Sequence, residues 1–321
     1  VKIVRQVGTI QAAILLRPEQ GGDRMRLLWL LVCAALLVAA VSVEADVVRF
    51  QQGMPNALAP QGYSGASDTY IYLTWENYHY GSYTESNLSC GDYNYGISDL
   101  LGVGERRWGT SSTLGSSWDY GRIGVGLLKF NLSALVGKQI VSARLYCYLQ
   151  EDPNTVTDPF HVPWVLGVRP VPQADADWVA GTHLCSPEPG SACYDLKCGT
   201  NPWSTTSQWG LDSKQGWSIL QQTWLRLGNC QEAYIDLSPA MVQSWVSSPA
   251  TNGGLLLFGW DNTGTATNQD CPINYLVSCD SPDRRYRPVL EIGFVPEPGS
   301  LAVLAAGLFA LPLIKRRKRV Y

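Results

Sequence analysis

Charge is scarce in this chain. Asp, Glu, Lys and Arg make up 16% of its 321 residues, against about 25% in an average soluble protein. Low charge combined with 12 Trp and 16 Tyr excludes intrinsic disorder for most of the chain. The composition also lacks the Ala, Glu, Lys and Leu enrichment of a long helical bundle. Only three His occur, and His79, His161 and His183 lie in separate segments with no nucleophile motif beside them. Cys-x-x-Cys is absent, and no His pair has ligand spacing, so a zinc site has no framework. Gly-x-Ser-x-Gly, a P-loop and a dinucleotide fingerprint are absent too. The net charge of −3 argues against a general nucleic-acid binder.

The few charges are unevenly placed. Setting aside the ten bases and four acids of 1–45 and 296–321 leaves 14 basic and 23 acidic residues in 46–295, a charge of about −9. An acidic body thus lies between two basic, apolar ends. Met25-Arg26 precedes a long apolar run, which closes on Val43-Glu44-Ala45. A basic start, an apolar run and a small-x-Ala finish predict a secretory signal peptide over 25–45, cut after Ala45. An uncleaved anchor is the alternative. Residues 1–24 do not suit the front of a signal peptide, so Met25 is the expected translation start and 1–24 an upstream extension.

At the other end, Pro296-Glu297-Pro298 precedes the 14 apolar residues Leu301 to Ile314 and then Lys315 to Arg319. As a helix this run spans ~21 Å, short of a ~30 Å hydrocarbon core, and the bases would hold its end in the cytoplasm. The order of the three parts resembles a PEP-CTERM sorting signal over 296–321. The resemblance implies a sorting motif at Pro296, Glu297 and Pro298, transient insertion in the inner membrane, and cleavage by an exosortase. It places the chain at the outer surface or in the extracellular matrix of a Gram-negative-type bacterium, with signal peptidase as the other processing partner. An ordinary C-terminal anchor is the competing reading.

Cysteine usage fits export. Eight remain in the body: Cys90, Cys147, Cys185, Cys193, Cys198, Cys230, Cys271 and Cys279. An even number in an exported chain predicts up to four disulfides, among 105 pairings.

The body, 46–295, has strand-like runs between Gly, Pro, Asn and Asp clusters, the spacing of an all-β sandwich. Expected strands are Asp68–Trp75, Val125–Phe130, Val141–Leu149, Trp164–Val168, Ala233–Leu237, Gly254–Gly259 and Val289–Phe294. In Val141–Leu149, alternation puts Val141, Ala143, Leu145, Cys147 and Leu149 on one face and Ser142, Arg144, Tyr146 and Tyr148 on the other. One short helix is expected: Ser238-Pro239 supplies an N-cap and a first-turn proline, and Met241, Val242, Trp245 and Val246 follow at helical spacing.

In order, these segments resemble the DNRLRE domain, carbohydrate-binding module family 96. The resemblance rests on Asp68-Thr-Tyr-Ile71, Asn94-Tyr-Gly96, Leu101-Gly-Val-Gly104, Leu128-Lys-Phe-Asn-Leu132 and Ile140-Val-Ser-Ala-Arg-Leu145. It continues through Asp177-Trp178 with Gly181-Thr182, Ile235-Asp-Leu237, Val242-x-x-Trp245, Asn252-Gly-Gly-Leu-Leu-Leu-Phe258 and Arg287-Pro-Val-Leu-Glu-Ile292. It implies a jelly-roll-like antiparallel β-sandwich that binds polysaccharide and has no catalysis of its own. The letters DNRLRE do not occur. Residues 76–93 and 105–122 stand out as insertions, and 181–224 is long and rich in Cys and Trp.

Sugar rings stack on exposed aromatic faces, and their hydroxyls are read by polar side chains. Rings in polar, Gly-rich stretches are the carbohydrate-binding candidates: Trp203, Trp209, Trp217, Tyr78, Tyr80 and Tyr93. Trp178, Trp245 and Trp260 are expected in the core. Asp92, Asn94 and Asp99 form an oxygen-rich loop that suits calcium, or equally Asx turns, and no cofactor is required. Glu76, Glu85 and Glu151 could pair for glycoside hydrolysis only at a separation that sequence does not reveal. Three functions therefore stand at this point: a polysaccharide-binding surface protein, a structural surface protein, and a polysaccharide-degrading enzyme.

Overall fold

The computed structural model describes residues 45–80, 83–89, 93–113, 116–150, 164–183, 186–193, 196–204, 218–219, 231–261 and 274–296. The body forms one compact unit from Ala45 to Pro296. The apolar runs near both ends of the chain lie outside the described residues, among which no helix is long and apolar enough to cross a membrane.

The chain is built from strands. β1 (Asp46–Gln51), β2 (Ala66–Tyr80), β3 (Tyr83–Ser89), β4 (Tyr93–Asn94), β5 (Leu100–Thr113) and β6 (Ser116–Phe130) form its first half. β7 (Lys138–Gln150), β8 (Trp164–Pro170), β9 (Ser186–Pro187), β10 (Leu196–Cys198), β11 (Asn201–Pro202) and β12 (Ser218–Ile219) follow. β13 (Gln231–Leu237), the helix α1 (Pro239–Ser247), β14 (Leu255–Asp261), β15 (Asn274–Val277) and β16 (Val289–Pro296) complete it.

Two antiparallel sheets face each other. In the first, β7 pairs with β13 along one edge; β16 and then β15 share the other, and β1 pairs outside β16. In the second, the order is β3-β2-β6-β14-β8-β12. β5 belongs to both. Leu100 to Val103 pairs with β15, and from Gly104 onward the strand pairs with β6. Gly104 makes this change at φ +126°, a conformation that costs a residue without Cβ little. Opposite it, a Cβ on Gly124 would lie 2.5 Å from the Gly102 carbonyl oxygen. Two glycines thus permit the close approach at the sandwich corner.

Where its side chains are described, the second sheet is buried on both faces. Leu128, Phe130, Leu166, Val168, Leu255 and Leu257 point toward the first sheet and join its Ala143, Leu145, Leu149, Ile235, Leu290 and Ile292 in one core. The opposite set, Ile71, Val125, Leu127, Leu256 and Phe258, packs under Val171, Trp178, Ala192 and Trp203. That cover is a strap over 171–204. This is why Leu255-Leu-Leu-Phe258 has no polar alternate: each face needs apolar groups. Each such side chain contributes about 1.5–3 kcal/mol by leaving water.

The strap is pinned by polar contacts made in dry surroundings. Trp178 Nε1 donates to the Gly253 carbonyl at 2.6 Å. Lys129 lies over the Trp178 ring at 4.6 Å and donates to the carbonyls of Ala176 and Trp178. Asp175, fully buried, accepts from the Ser204 amide and hydroxyl at 2.9 and 2.6 Å and has Lys197 at 3.6 Å.

Every expected strand is present within one of these elements except that Gly254 lies just before β14, and α1 begins as read. The Ser238 hydroxyl accepts from the Met241 amide, Pro239 opens the helix, and Val242, Trp245 and Val246 are buried. One face assignment on β7 is corrected. Val141 is 43% exposed, and Ile140 occupies the core instead. Gly293 pairs with Ser142 and Phe294 with Ile140, so Val141 is the extra residue of a β-bulge that shifts the alternation. Segments 76–93 and 105–122 form strands for most of their length: β2 runs to Tyr80, β3 pairs with it, and β5 and β6 continue beside them.

Asp68, at the start of β2, ties the two sheets together. It accepts from Ser278 Oγ at 3.1 Å and from the Cys279 amide at 2.6 Å, just past β15. Burial pushes its carboxyl from 3.8 up to about 7, against those two hydrogen bonds. The folded protein therefore holds a proton at pH values where the unfolded chain has lost it. That contribution is complete below the ordinary carboxylate range and is lost as pH rises toward about 7. Chemical denaturation at stepped pH should show stability falling by a few kcal/mol across this window. In Asp68→Asn the slope should flatten.

Candidate functional site

With the described side chains of the second sheet covered on both sides, the outer face of the first sheet is the broad sheet surface left to solvent among the described residues. The bulge at Val141 fixes which residues reach it. From there to Tyr148, β7 presents Ser142, Arg144, Tyr146 and Tyr148 outward while Ala143, Leu145, Cys147 and Leu149 go inward.

Neighbouring strands add to this row by register. Arg49 on β1 is opposite Glu291 on β16, Glu291 is opposite Arg144, and Arg144 is opposite Asp236 on β13. Four strands therefore carry one line of alternating charge. Arg49 Nε donates to Glu291 at 2.7 Å, and Arg144 Nε donates to Asp236 at 2.6 Å. Tyr146 is opposite Tyr234, and Tyr148 is opposite Glu232. The Tyr148 hydroxyl donates to Glu232 at 2.8 Å, and partial burial pushes its pKa up to about 12.

The tyrosines form a path across the face. Tyr286 and Tyr148 have centroids 5.6 Å apart with planes at 69°. Tyr146 and Tyr234 are 6.0 Å apart at 48°. Tyr146 and Tyr148 are two residues apart on β7, a step of roughly 7 Å. Guanidinium groups brace the rings: Arg144 lies over Tyr234 at 4.3 Å and Arg49 over Tyr146 at 5.7 Å. Tyr234 remains 51% exposed. The face can stack a sugar on its rings and offer carboxylates and guanidiniums to its hydroxyls.

The candidate residues are placed as follows. Trp203 is 4% exposed, part of the strap's own share of the core, with Nε1 donating to the Cys193 carbonyl at 2.9 Å. This corrects its reading as a sugar platform, because a ring sealed against Leu256 and Phe258 offers no face to solvent. Trp209 and Trp217 lie outside the described residues. Tyr78 and Tyr80 stand on β2 and Tyr93 on β4, rather than in loops, with their side chains outside the described set. Trp178 and Trp245 are core, as expected.

Asp99 is exposed, and its carbonyl accepts from the Ser278 amide. The side chain of Asn94, and Asp92 entirely, lie outside the described residues, among which no group of three metal-ligating side chains gathers. Pro296 is the last residue of β16, opposite Lys138. Glu297 and Pro298 lie outside the described residues, as do Cys90, Cys185, Cys230 and Cys271.

The expected disulfides do not join Cys147, Cys198 or Cys279, which are thiols in this structure. Cys147 and Cys279 are core residues near Asp68, and burial raises the pKa of both. Cys198 is in the strap, 3.5 Å from Asp177. Cys193 is buried, and its carbonyl accepts from Trp203 Nε1.

A cleft of about 680 Å³ beside α1 is lined by Arg169, Gln173, Met241, Ser244, Trp245 and Thr251. Its hydroxyls turn onto backbone: Ser244 donates to the Met241 carbonyl and Thr251 to that of Ser248.

No family model matches the chain, and a search of curated proteins finds no match. Two outcomes separate core from surface. Trp203→Ala should cost about 3–5 kcal/mol in equilibrium unfolding, as a buried aromatic does. Asp236→Asn and Glu291→Gln, in solvent-screened pairs, should each cost less than about 1 kcal/mol in the same measurement.

Proposed function

We propose that the body is a non-catalytic, polysaccharide-binding β-sandwich of jelly-roll type, displayed at the outer cell surface or in the extracellular matrix. The observation that carries this reading is the tyrosine path on the outer face of the first sheet, with exposed Tyr234 and charged groups placed between the rings by register.

The resemblance to the DNRLRE domain points to the same class; of its quoted positions, Asp68 ties the two sheets, Trp178 anchors the strap, and Arg287 donates to the Ser281 and Gln52 carbonyls. Export follows from the two ends. The signal peptide delivers the body across the inner membrane. The Pro296-Glu297-Pro298 signal and its basic tail hold the chain there until an exosortase cuts it. Pro296 closes the last strand, so the sorting motif begins where the sandwich ends.

On a glycan array, Ala45–Pro296 should retain at least one polysaccharide. The pair Tyr146→Ala with Tyr234→Ala should abolish that signal with the circular-dichroism spectrum unchanged. A folded body that retains no glycan would favour the structural-protein reading, and turnover of a polysaccharide would favour the enzyme.

A further inference from the structure

Resting on the reading of the two ends as an export signal and a membrane anchor, we infer that the corner of the first sheet where both ends leave the body is a bilayer contact. Val47, Val136 and Val141 rest on the phospholipid interface for as long as the chain is anchored, and the tyrosine path is held above it.

Strand register brings the two ends together. β1 begins at Asp46, opposite Phe294, and β16 closes at Pro296, opposite Lys138. The expected cut after Ala45 and the start of the sorting motif therefore lie on adjacent strands at one end of the sheet, although nearly the whole body separates them in sequence. The apolar run starts at Leu301, five positions past Pro296. Five extended residues span no more than about 18 Å, so a chain inserted from Leu301 onward keeps this corner within that distance of the bilayer.

Apolar side chains gather at the same corner. Seven large ones stand exposed among the described residues, and Val47, Val136 and Val141 are three of them, at 62%, 59% and 43%. Val47 is opposite Gly293 on the outer face, and a Cβ on Gly293 would lie 3.5 Å from Val141 Cγ2. The two valines thus flank a position with no side chain. Val136 comes just before Gly137, whose φ of +76° turns the chain into β7 beside Pro296. The sandwich buries none of the three. Charge neither drives nor opposes the contact: in formal charge Lys138 balances Glu297, and the α-ammonium that signal-peptide removal leaves on Asp46 balances that residue's carboxylate.

Away from the corner the same face changes character in order. Ser142 lies level with Val47, Arg144 carries the charged row, and Tyr146 and Tyr148 follow. Four and six residues of strand put those two rings roughly 13 and 20 Å beyond Ser142. A body resting on Val47 and Val141 therefore keeps its rings clear of the headgroups and open to polymer. Three valines alone would hold a free domain only weakly, since even a single acyl chain binds a bilayer marginally. The anchor changes this by raising the local concentration of the corner at the bilayer to the millimolar range. The contact ends when the anchor is cut.

The test uses the full chain, produced in an exporting host without exosortase and reconstituted into vesicles of phosphatidylethanolamine and phosphatidylglycerol. The photo-crosslinking residue benzoylphenylalanine replaces Val47, Val136 or Val141 one at a time, or Val179 as a control, which is 48% exposed on the strap. Flotation reads anchoring, and mass spectrometry reads lipid adducts after illumination. The chain should float, and the adducts at the three corner positions should exceed that at Val179 about tenfold, with no change between low and high salt. Val47→Asp combined with Val136→Asp should lower the adduct at Val141 about tenfold while the circular-dichroism spectrum stays unchanged. A floating chain with no excess of lipid adduct at the corner would overturn this inference and leave the anchor in place. So would corner adducts to protein, whether a second copy or this chain's own terminal segments, in place of lipid. A folded chain that does not float would overturn both.

Discussion

The rest of this structure depends on one desolvation requirement: the second sheet, where its side chains are described, must be dry on both faces. Leu255, Leu256, Leu257 and Phe258 are consecutive and all buried, alternating between two separate cores. A sandwich alone dries one face. The other would leave Ile71, Val125, Leu127, Leu256 and Phe258 in water. The 171–204 strap removes that apolar area, and its two buried indoles, Trp178 and Trp203, each donate N–H to a backbone carbonyl, so their polar atoms are satisfied where they lie. The first sheet, backed by the second, keeps an outer surface that this core does not need.

Local order was legible in the sequence. Strand positions, the Ser238-Pro239 helix start and the inner and outer faces of most of β7 follow from periodicity and capping, which depend on neighbours a few residues away. What is set at a distance was not legible. Val141 looks like a core residue until Gly293, 152 positions away, shows which residues pair with it. The segments 76–93 and 105–122 look like loops because their residues are polar, yet their pairing partners make them strands. Trp203 looks exposed because its surroundings in the chain are Ser, Thr, Pro and Gly; its actual surroundings are Leu256 and Phe258 on a different element. The site was half legible. Alternation turned Tyr146 and Tyr148 outward, and nothing within β7 could indicate that Arg49, Glu291, Asp236 and Tyr234 would line up beside them.

Buried polar residues and surface residues play different parts here. Asp68, Asp175 and Asn252 are buried polar groups that each hold a distant piece of backbone: Asp68 the turn after β15, Asp175 the Ser204 amide, Asn252 the Phe130 carbonyl at 2.7 Å. Gly254 follows Asn252 at φ +76°, where a Cβ would meet the Leu128 carbonyl oxygen. These joints are costly to break, because a partner left alone in the core forfeits its full solvation. They account for why short, scattered motifs can mark a fold. They do not determine what the fold binds, since none of them reaches the outer face.

The paired charges on that face are a poor way to stabilise a sheet. Exposed pairs of this kind are screened and contribute little. Their geometric effect is larger. Arg144 is held at once by Asp236 and by the ring of Tyr234, and Arg49 by Glu291 and the ring of Tyr146. Each ring is therefore braced by a guanidinium that is itself fixed, and the Tyr148 ring is fixed by its hydroxyl on Glu232. A flexible polymer loses freedom when it adheres, and a surface that must also order its own side chains adds to that loss. A face whose rings are ordered before contact avoids the second cost, and this is how the charge ladder would aid the proposed polysaccharide binding.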